Sequence, residues 1–246
     1  MSGHSKWSTI KYKKGAKDVQ RGKIFAKLAR AVEVAARQGG GDPTANASLA
    51  QAIDKAKSAS VPNDNIERAI KRGVGDVAGA HYDEIWYEGY AAGGVALFVQ
   101  VLTDNRNRAA SAVRSTFGRN GGNLGEPGSV GYLFEQKGYI LATGAEEDVM
   151  LAALDAGAED IRPSGDQFEV ITSPPDVRAV RQALVEAGVG VESSEITQIP
   201  STTIPLGEET ARAVLRLVDA LEELDDVQAV YANFDISDEV LAAVAG

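Results

Sequence analysis

The hydrophobic period of the chain changes near residue 80, and this change limits the possible folds more than any other feature. Before residue 75, apolar residues recur every three or four positions, as they do along one face of an α-helix. After Tyr82, short segments alternate between apolar and polar residues, which is typical of strands with one buried face. The sequence therefore predicts an all-helical N-terminal unit followed by a mixture of helices and strands.

Three helices are predicted in the N-terminal unit. The first has an apolar stripe on one side and basic residues on the other, and it ends at the glycines 39–41. Asp42-Pro43 predicts the N-cap and first position of a second helix, which ends near Ser60. The third helix is predicted to start at Pro62 and to stop at Gly73. Three short amphipathic helices of this kind indicate a small bundle.

The strand signals follow in two blocks. The segments YDEIWYEGY and VALFVQVLTD, separated by Gly93-Gly94, predict a hairpin, and a helix from about Asn105 to Gly118 follows. A glycine-rich stretch then predicts a long irregular loop. From Gly138 the pattern becomes strand–helix–strand–helix–strand, followed by a long helix and a last strand. This arrangement favours antiparallel α+β sheets over a doubly wound fold.

The number of elements predicts how the domains are connected. The first hairpin and its helix lack partners, and the final strand–helix–strand can supply them. We therefore expect an α+β multidomain protein with a three-helix domain followed by two ferredoxin-like α/β domains, one inserted in the other. The predicted limits are 1–78 for the helical domain, 79–135 plus 203–246 for the second domain, and 136–202 for the insertion. Three domains in simple succession are the alternative.

Charge is divided unevenly along the chain. The whole chain has 25 Lys and Arg against 35 Asp and Glu, a net charge of −10. Residues 1–72 nevertheless contain 15 Lys and Arg against only six acids. Such asymmetry is typical of a basic module that binds a polyanion and is attached to an acidic body.

The first 30 residues provide the clearest candidate contacts. Phosphate binding requires dense cations, and flat rings favour contact with bases or sugars. The opening segment supplies both, since lysines alternate there with Trp7 and Tyr12. The alternative is a solvated basic tail with both aromatic residues packed on the helices. The candidate nucleic-acid contacts are His4, Lys6, Trp7, Lys11, Tyr12, Lys13, Lys14, Lys17, Arg21, Lys23, Lys27 and Arg30.

A second candidate lies on the helix that follows the hairpin. Arg108 and Arg119 share the face opposite Phe117, in a part of the chain that is otherwise acidic. Glycines 121–122 and Asn123 follow, and glycines permit close approach of a backbone to RNA or protein. A solvated helix face and a simple hinge are the alternatives.

Signals for catalysis are weak in the sequence. The only histidines, His4 and His81, lie far apart, there is no cysteine, and neither a P-loop nor a nucleophile elbow occurs. The acidic runs 146–148 and 222–226 suit helix ends and solvated faces. We expect no enzyme activity, no metal, no cofactor and no small-molecule substrate. No apolar run approaches the ~18 residues of a membrane span, and the N-terminus lacks a secretory signal, so we expect a cytoplasmic protein without a membrane partner.

The quoted motifs also carry a resemblance. The segments GHSKWSTIKYKKGAKDVQRGKIFAKLAR, ARQGGGDPTANASLAQAIDKAKSASVPNDNIERAIKRG and YEGYAAGGVALFVQVLTDNRNRAASAVRSTFGRNGGNLGEPGSVGYLFEQKG are similar to the YebC/PmpR family. The resemblance implies three domains, an N-terminal helical domain and two α/β domains, of which the last is inserted in the one before it. It implies no cofactor or catalytic residue.

Two functions are implied by the resemblance. Members are described as probable transcriptional regulators that bind DNA in the cytoplasm. Mitochondrial relatives activate translation of a cytochrome oxidase subunit, and bacterial relatives are linked to ribosomes and to synthesis through proline runs. The partner is thus DNA, or ribosomal RNA within the ribosome. A protein-interaction adaptor acting through the acidic body is a third hypothesis, from a different class.

Overall fold

A computed structural model describes residues 18–75 and 80–245 of the chain. The N-terminal part is a bundle of three helices, α1 (Asp18–Gly39), α2 (Ala47–Ser58) and α3 (Asn63–Val74). Its core consists of apolar residues such as Val32, Leu49 and Ile66, which are almost fully buried. The helical unit predicted from the three- and four-residue spacing is therefore present.

The remainder is built from strands and helices in alternation, joined by short loops and two 3-10 turns at Ala92–Gly94 and Gly131–Leu133. In chain order these are β1 (Asp83–Tyr90), β2 (Ala96–Thr103), α4 (Arg106–Arg119), β3 (Asn123–Leu124), β4 (Phe134–Thr143), α5 (Glu146–Asp155), β5 (Asp160–Ser164), β6 (Gln167–Thr172), α6 (Val177–Glu186), β7 (Gly190–Pro200), β8 (Ile204–Pro205), α7 (Glu208–Glu222), β9 (Val227–Ala232), β10 (Phe234–Asp235) and α8 (Asp238–Ala245). No helix in the described ranges is long and apolar enough to cross a membrane.

The first large sheet combines strands from both ends of this region. Its order is β3-β1-β2-β9, and β9 pairs antiparallel with β2 so that Val99 faces Val230. One apolar core joins this sheet to α4 and α7, and it contains the fully buried Phe117 and Leu217. The last long strand thus completes the sheet begun by the first hairpin, as the partner count predicts.

The second large sheet is formed entirely by residues between β3 and β8. Its strands lie in the order β5-β6-β4-β7, and with α5 and α6 they follow the β-α-β-β-α-β path of a ferredoxin-like unit. The unit begins and ends side by side, since Phe134 pairs with Pro200 and the Ser201 N–H donates to the Leu133 carbonyl. The predicted fold class, with one α/β unit inserted in another, is therefore confirmed, whereas the domain limits in residue numbers stay a prediction.

The start of α2 differs from the prediction. Asp42 does not cap the helix; its carboxylate accepts hydrogen bonds from the N–H and hydroxyl of Thr44 in a turn. The N-cap is Asn46, whose Oδ1 accepts from the Leu49 N–H while its Nδ2 donates to two carbonyls at the end of α1. Asn46 is the cap because its one buried side chain bonds to backbone groups at the ends of two helices.

The end of α3 also differs. Gly73 does not stop the helix but lies buried inside it, and Gly75, with φ of 89°, forms the left-handed C-cap. A Cβ at Gly73 would lie 2.4 Å from the Glu33 carbonyl oxygen and 2.6 Å from the Ala36 Cβ. Gly73 therefore serves the close packing of α3 against α1.

Three elements were not predicted, the strands β3 and β5 and the helix α8. β5 contains Pro163, which lacks an N–H and weakens a strand signal, yet it lies at the edge of its sheet, where proline is tolerated. α8 has only eight residues, so its period is too short to separate from that of a loop. The glycine-rich stretch, expected to be an irregular loop, contains the short strand β3 and a 3-10 turn.

Candidate nucleic-acid interface

The candidate contacts of the opening segment lie outside the described residues. These are His4, Lys6, Trp7, Lys11, Tyr12, Lys13, Lys14 and Lys17. Arg21 lies in α1. The role of these residues stays a prediction.

The remaining candidates on α1 point at the second domain. They lie along the contact between α1 and the turn that links α7 to β9, which we call the α1 seam. The exposed Lys23 lies 3.9 Å from the Asp225 carboxylate, and Lys27 donates to the Glu222 carbonyl. The half-buried Arg30 donates to the carbonyls of Leu102 and Asp225, each at 3.0 Å. The basic face of α1 thus fastens the helical domain to its neighbour.

Asp226 is the centre of the α1 seam. Its side chain is 13% exposed and accepts hydrogen bonds from Arg30 at 3.1 Å, from Arg108 at 2.9 Å and from the Thr103 hydroxyl at 3.0 Å. Arg30 also stacks over the Tyr82 ring at 5.0 Å. The expectation that the acidic run 222–226 forms only a solvated face is therefore wrong for Asp226, because two guanidinium groups from different domains meet on it.

The predicted contacts Lys27, Arg30 and Arg108 therefore have protein partners in this structure. Arg108 additionally pairs with Asp104 at 2.6 Å, and its bonds to Asp226 and Asp104 raise the pKa of Arg108. The same bond from Arg108 lowers the pKa of Asp104. A phosphate would have to compete with these protein acceptors, so the geometry favours a structural role for these three cations.

Burial sets the protonation behaviour of Lys27. Desolvation lowers the pKa of Lys27 from 10.5 to about 8, although the nearby acids Glu222 and Asp225 act in the opposite direction. Between pH 8 and 10.5 the unfolded chain therefore binds more protons at this side chain than the folded chain does. By linkage, the free energy of unfolding rises with pH across this window.

We expect Lys27→Met to remove this pH dependence. Wild type should gain stability relative to the variant between pH 7.5 and 9.5, because the folded protein no longer has to bury a charged ammonium. Urea unfolding at the two pH values measures this difference, with Lys57→Met, which changes an exposed lysine of α2, as the control that follows wild type. An equal change in the free energy of unfolding between the two pH values for wild type and Lys27→Met would contradict the expectation.

The second candidate surface lies on α4, and the structure separates its two arginines. Eleven residues of helix place Arg119 about 16 Å from Arg108 along the axis. In the described part of the chain Arg119 and its neighbour Arg114 are exposed and have no ion-pair partner, whereas Arg106 pairs with Asp83 at 2.8 Å. Ser111 and Ser115 are exposed on the same helix. The outer side of α4 near its C-terminus is therefore a small, accessible basic surface.

The glycine-rich loop beside α4 is organised by a buried carboxylate. Glu88 is 8% exposed and accepts backbone N–H groups from Gly128 at 2.7 Å, Val130 at 2.6 Å and Gly131 at 2.7 Å. Burial opposes ionisation, but these three donors hold the pKa of Glu88 below its ordinary value. Glu88 thus occupies a cluster of N–H groups that would otherwise suit an external anion.

The glycines that follow α4 also serve internal packing. A Cβ at Gly122 would lie 2.6 Å from Leu217 and 2.9 Å from the Tyr90 carbonyl oxygen, and Gly121 has φ of 75°. The close approach permitted at Gly122 is therefore to the protein's own core. Farther along the loop the side chain of Tyr132 is 76% exposed, which leaves an aromatic ring at the surface.

Sequence reasoning missed the three acids that organise these surfaces, Asp226, Glu88 and Glu33. Glu33 is 3% exposed and bridges Arg37 at 3.2 Å and Arg72 at 2.8 Å, so it neutralises two cations of the helical domain. Its position beside the apolar stripe of α1 is the one local signal that this acid is buried. Nothing in the local sequence distinguishes Asp226 from the exposed acids beside it.

Accessible cations remain on the helical domain. Lys57 on α2 and Arg68 and Lys71 on α3 are exposed, and none has an ion-pair partner within residues 18–75 and 80–245. In the same ranges, no group of three or more His, Asp and Glu side chains is placed to hold a metal ion.

Comparison with known proteins covers nearly the whole chain. A family model described as the N-terminal domain of the TACO1/YebC protein matches residues 5–76, and one for its second and third domains matches residues 82–234. Relatives from Rubrobacter xylanophilus (60% identical) and Thermobifida fusca (59% identical), each named "Probable transcriptional regulatory protein", align over 100% of both chains. The crystal structure of a conserved hypothetical protein from Aquifex aeolicus superposes with a TM-score of 0.80 at 48% identity, covering 91% of this chain and 94% of that one. With the three-helix domain, the paired α/β units and these matches in agreement, the chain belongs to the TACO1/YebC family.

Proposed function

We propose that this protein is a nucleic-acid-binding regulator of gene expression that acts on transcription by binding DNA. The observation that carries the proposal is the excess of positive charge in residues 1–72 beside an acidic remainder. The names of the full-length relatives support a regulatory role in transcription. The same names support a regulatory protein in place of an enzyme. We further propose that the protein acts in the cytoplasm.

The opening segment is the proposed phosphate-binding element. Lys6, Lys11, Lys13, Lys14 and Lys17 are close enough in sequence to follow one phosphate backbone, and Trp7 and Tyr12 supply rings for stacking. His4, Arg21 and Lys23 extend the same element. The acidic body repels phosphate, so it restricts the nucleic acid to the basic side of the molecule.

Two further surfaces can add contacts. Lys57, Arg68 and Lys71 are exposed on the helical domain, and Arg119 is exposed on α4. Lys27, Arg30 and Arg108 are assigned to the α1 seam instead, since each of them already donates to an acceptor of the protein. The α1 seam then sets the orientation in which the basic domain is presented.

Ribosomal RNA is the competing target. Lysines interleaved with aromatic residues suit irregular RNA, whose unstacked bases are available for stacking. Duplex DNA that is recognised by sequence is instead usually read by a helix placed in the major groove. Both targets are contacted through phosphates, so charge alone does not separate them.

The proposal is tested by Lys13→Glu combined with Lys14→Glu. Removing two phosphate contacts should weaken binding to a duplex DNA probe and reduce the slope of log K against log salt by about two. Fluorescence anisotropy of a labelled 30-base-pair duplex at several salt concentrations gives this slope. Arg178→Glu with Arg181→Glu, an equal charge change on the exposed face of α6, is the matched control and should leave the slope unchanged.

The same variants separate the two targets. Sedimentation of wild type with ribosomes after DNase treatment, lost in the Lys13 and Lys14 variant, would favour ribosomal RNA over DNA. Preference for particular duplex sequences above bulk DNA would favour transcription. An unchanged salt slope with both DNA and ribosomal RNA would remove the opening segment from the proposed interface.

A further inference from the structure

Helix α5 of the inserted domain has two apolar sides, of which only one is covered. Val149 and Ala153 are fully buried against the sheet. Met150, Leu151 and Leu154 are 42%, 64% and 51% exposed. A helix that is apolar on both sides is ordinarily buried on both sides. The second side of α5 therefore has the composition of a contact surface.

The exposed apolar side chains form one continuous stripe. Positions 147, 150, 151 and 154 are spaced by three and four residues, so they lie on the same face of the helix, one turn above another. Together with the neighbouring acids Glu146, Glu147 and Asp155 they form one open surface patch on the outer side of α5. An interfacial stripe with this spacing matches the way one helix packs on another.

The acidic residues of the patch indicate the charge of the surface that would pack on it. Apart from its apolar residues, the patch consists of Glu146, Glu147 and Asp155. The two glutamates lie at the first turn of α5, and Asp155 lies at its last residue. A nucleic acid or an acidic protein surface would be repelled here. A helix with apolar residues on one face and lysines or arginines along both edges would complement the leucines and the acids together.

We propose that the stripe of Met150, Leu151 and Leu154, with its acidic margin, is a docking surface for a basic amphipathic helix of a partner protein. The apolar residues of that helix, at positions i, i+3, i+4 and i+7, pack on the two leucines and the methionine. Its cations pair with Glu146, Glu147 and Asp155. This surface lies on α5, outside the opening segment and the α1 seam, so the inference is independent of the proposed nucleic-acid binding.

Binding is tested on the full-length protein with a defined probe. The probe is a fluorescein-labelled 18-residue peptide of leucine and lysine, with leucine at helical i, i+3, i+4 and i+7 positions. One control peptide has the same composition in scrambled order, and a second replaces every lysine with glutamate. Anisotropy titrations should show binding of the first peptide only, weakening as salt is raised.

Variants assign the binding to α5. Leu151→Gln with Leu154→Gln should weaken binding of the probe by about tenfold or more, because both central apolar contacts are lost. Glu146→Gln with Glu147→Gln should weaken it less and reduce its salt dependence. Val185→Gln, at a 52% exposed apolar residue of α6, is the matched control and should bind as wild type does. Since all these side chains are exposed, unchanged circular dichroism is expected throughout.

Several outcomes would overturn the proposal. Equal binding of the scrambled peptide, or full affinity in the double leucine variant, would show that α5 does not recognise an amphipathic helix. Dimers of wild type that dissociate in the double leucine variant would assign the stripe to a second copy of this chain. Probe binding that appears only after deletion of residues 1–17 would show that the occupant of the stripe is that segment of the chain. Loss of duplex DNA binding in the double leucine variant would assign it to nucleic acid.

Discussion

Asp226→Ala is expected to lower the free energy of unfolding by about 3 kcal/mol, because it leaves two guanidinium groups without their shared carboxylate. Arg30 retains the Leu102 and Asp225 carbonyls and Arg108 retains Asp104, so both keep part of their hydrogen bonding. The loss should therefore fall at the lower end of the range for a broken buried ion pair. Urea unfolding followed by circular dichroism measures it.

Asp225→Ala is the matched control for this prediction. Asp225 is the adjacent residue, but its side chain is 76% exposed and lies 3.9 Å from Lys23, so its removal should cost less than about 0.5 kcal/mol. A double-mutant cycle with Arg30→Met then isolates the coupling across the α1 seam. If Asp226→Ala and Asp225→Ala cost the same, Asp226 does not hold the two domains together.

Gly73→Ala is expected to destabilise the helical domain by about 3 kcal/mol, although alanine is the better helix former by about 1 kcal/mol. The added methyl would lie 2.4 Å from the Glu33 carbonyl oxygen and 3.1 Å from the Arg37 nitrogen, both of which belong to the backbone of α1. Backbone atoms in the middle of a helix cannot rotate away, so α1 and α3 must separate. Loss of helical circular dichroism at a lower urea concentration is the expected measurement.

Gly118→Ala is the matched control, and it is expected to change the free energy of unfolding in the opposite direction. A Cβ at this position of α4 would meet nothing within 4 Å among the residues that the structure describes. The helix propensity of alanine should then raise the free energy of unfolding by about 0.5 to 1 kcal/mol. Stabilisation by both substitutions would show that α1 and α3 do not touch at Gly73.

Elements with long and regular periods were predictable from the sequence, and elements decided by tertiary contacts were not. The apolar stripe of α1, from Ile24 to Ala36, repeats over about three and a half turns, so its spacing is enough to identify the buried face. The start of α2 depends on Asn46 reaching back to carbonyls at the end of α1, which no local rule reveals. Likewise Gly73 and Gly75 are both plausible helix stops, and only the position of α1 decides between them.

For the candidate site too, some features can be predicted from the sequence and others depend on tertiary contacts. A count of charges along the chain locates the basic domain, because net charge is a sum that does not depend on the fold. Which cations remain available does depend on the fold. Arg30 bonds to Asp226, which lies 196 residues away in the sequence. No local pattern in the sequence indicates that Lys57, Arg68 and Lys71 are exposed and without an ion-pair partner among the described residues. Sequence reasoning thus identifies the basic region of the chain, but it does not reveal that Lys27, Arg30 and Arg108 have protein partners.

The path of the chain through the inserted unit has an evolutionary consequence. The inserted unit begins after Leu133 and ends before Ser201, and the backbones of these two residues are joined by a hydrogen bond of 2.8 Å. Excising everything between them would leave ends separated by about one strand spacing, ~5 Å, which a tight turn can close. A unit whose two ends lie this close together can be gained, exchanged or lost in a single recombination event while the host sheet keeps its connectivity.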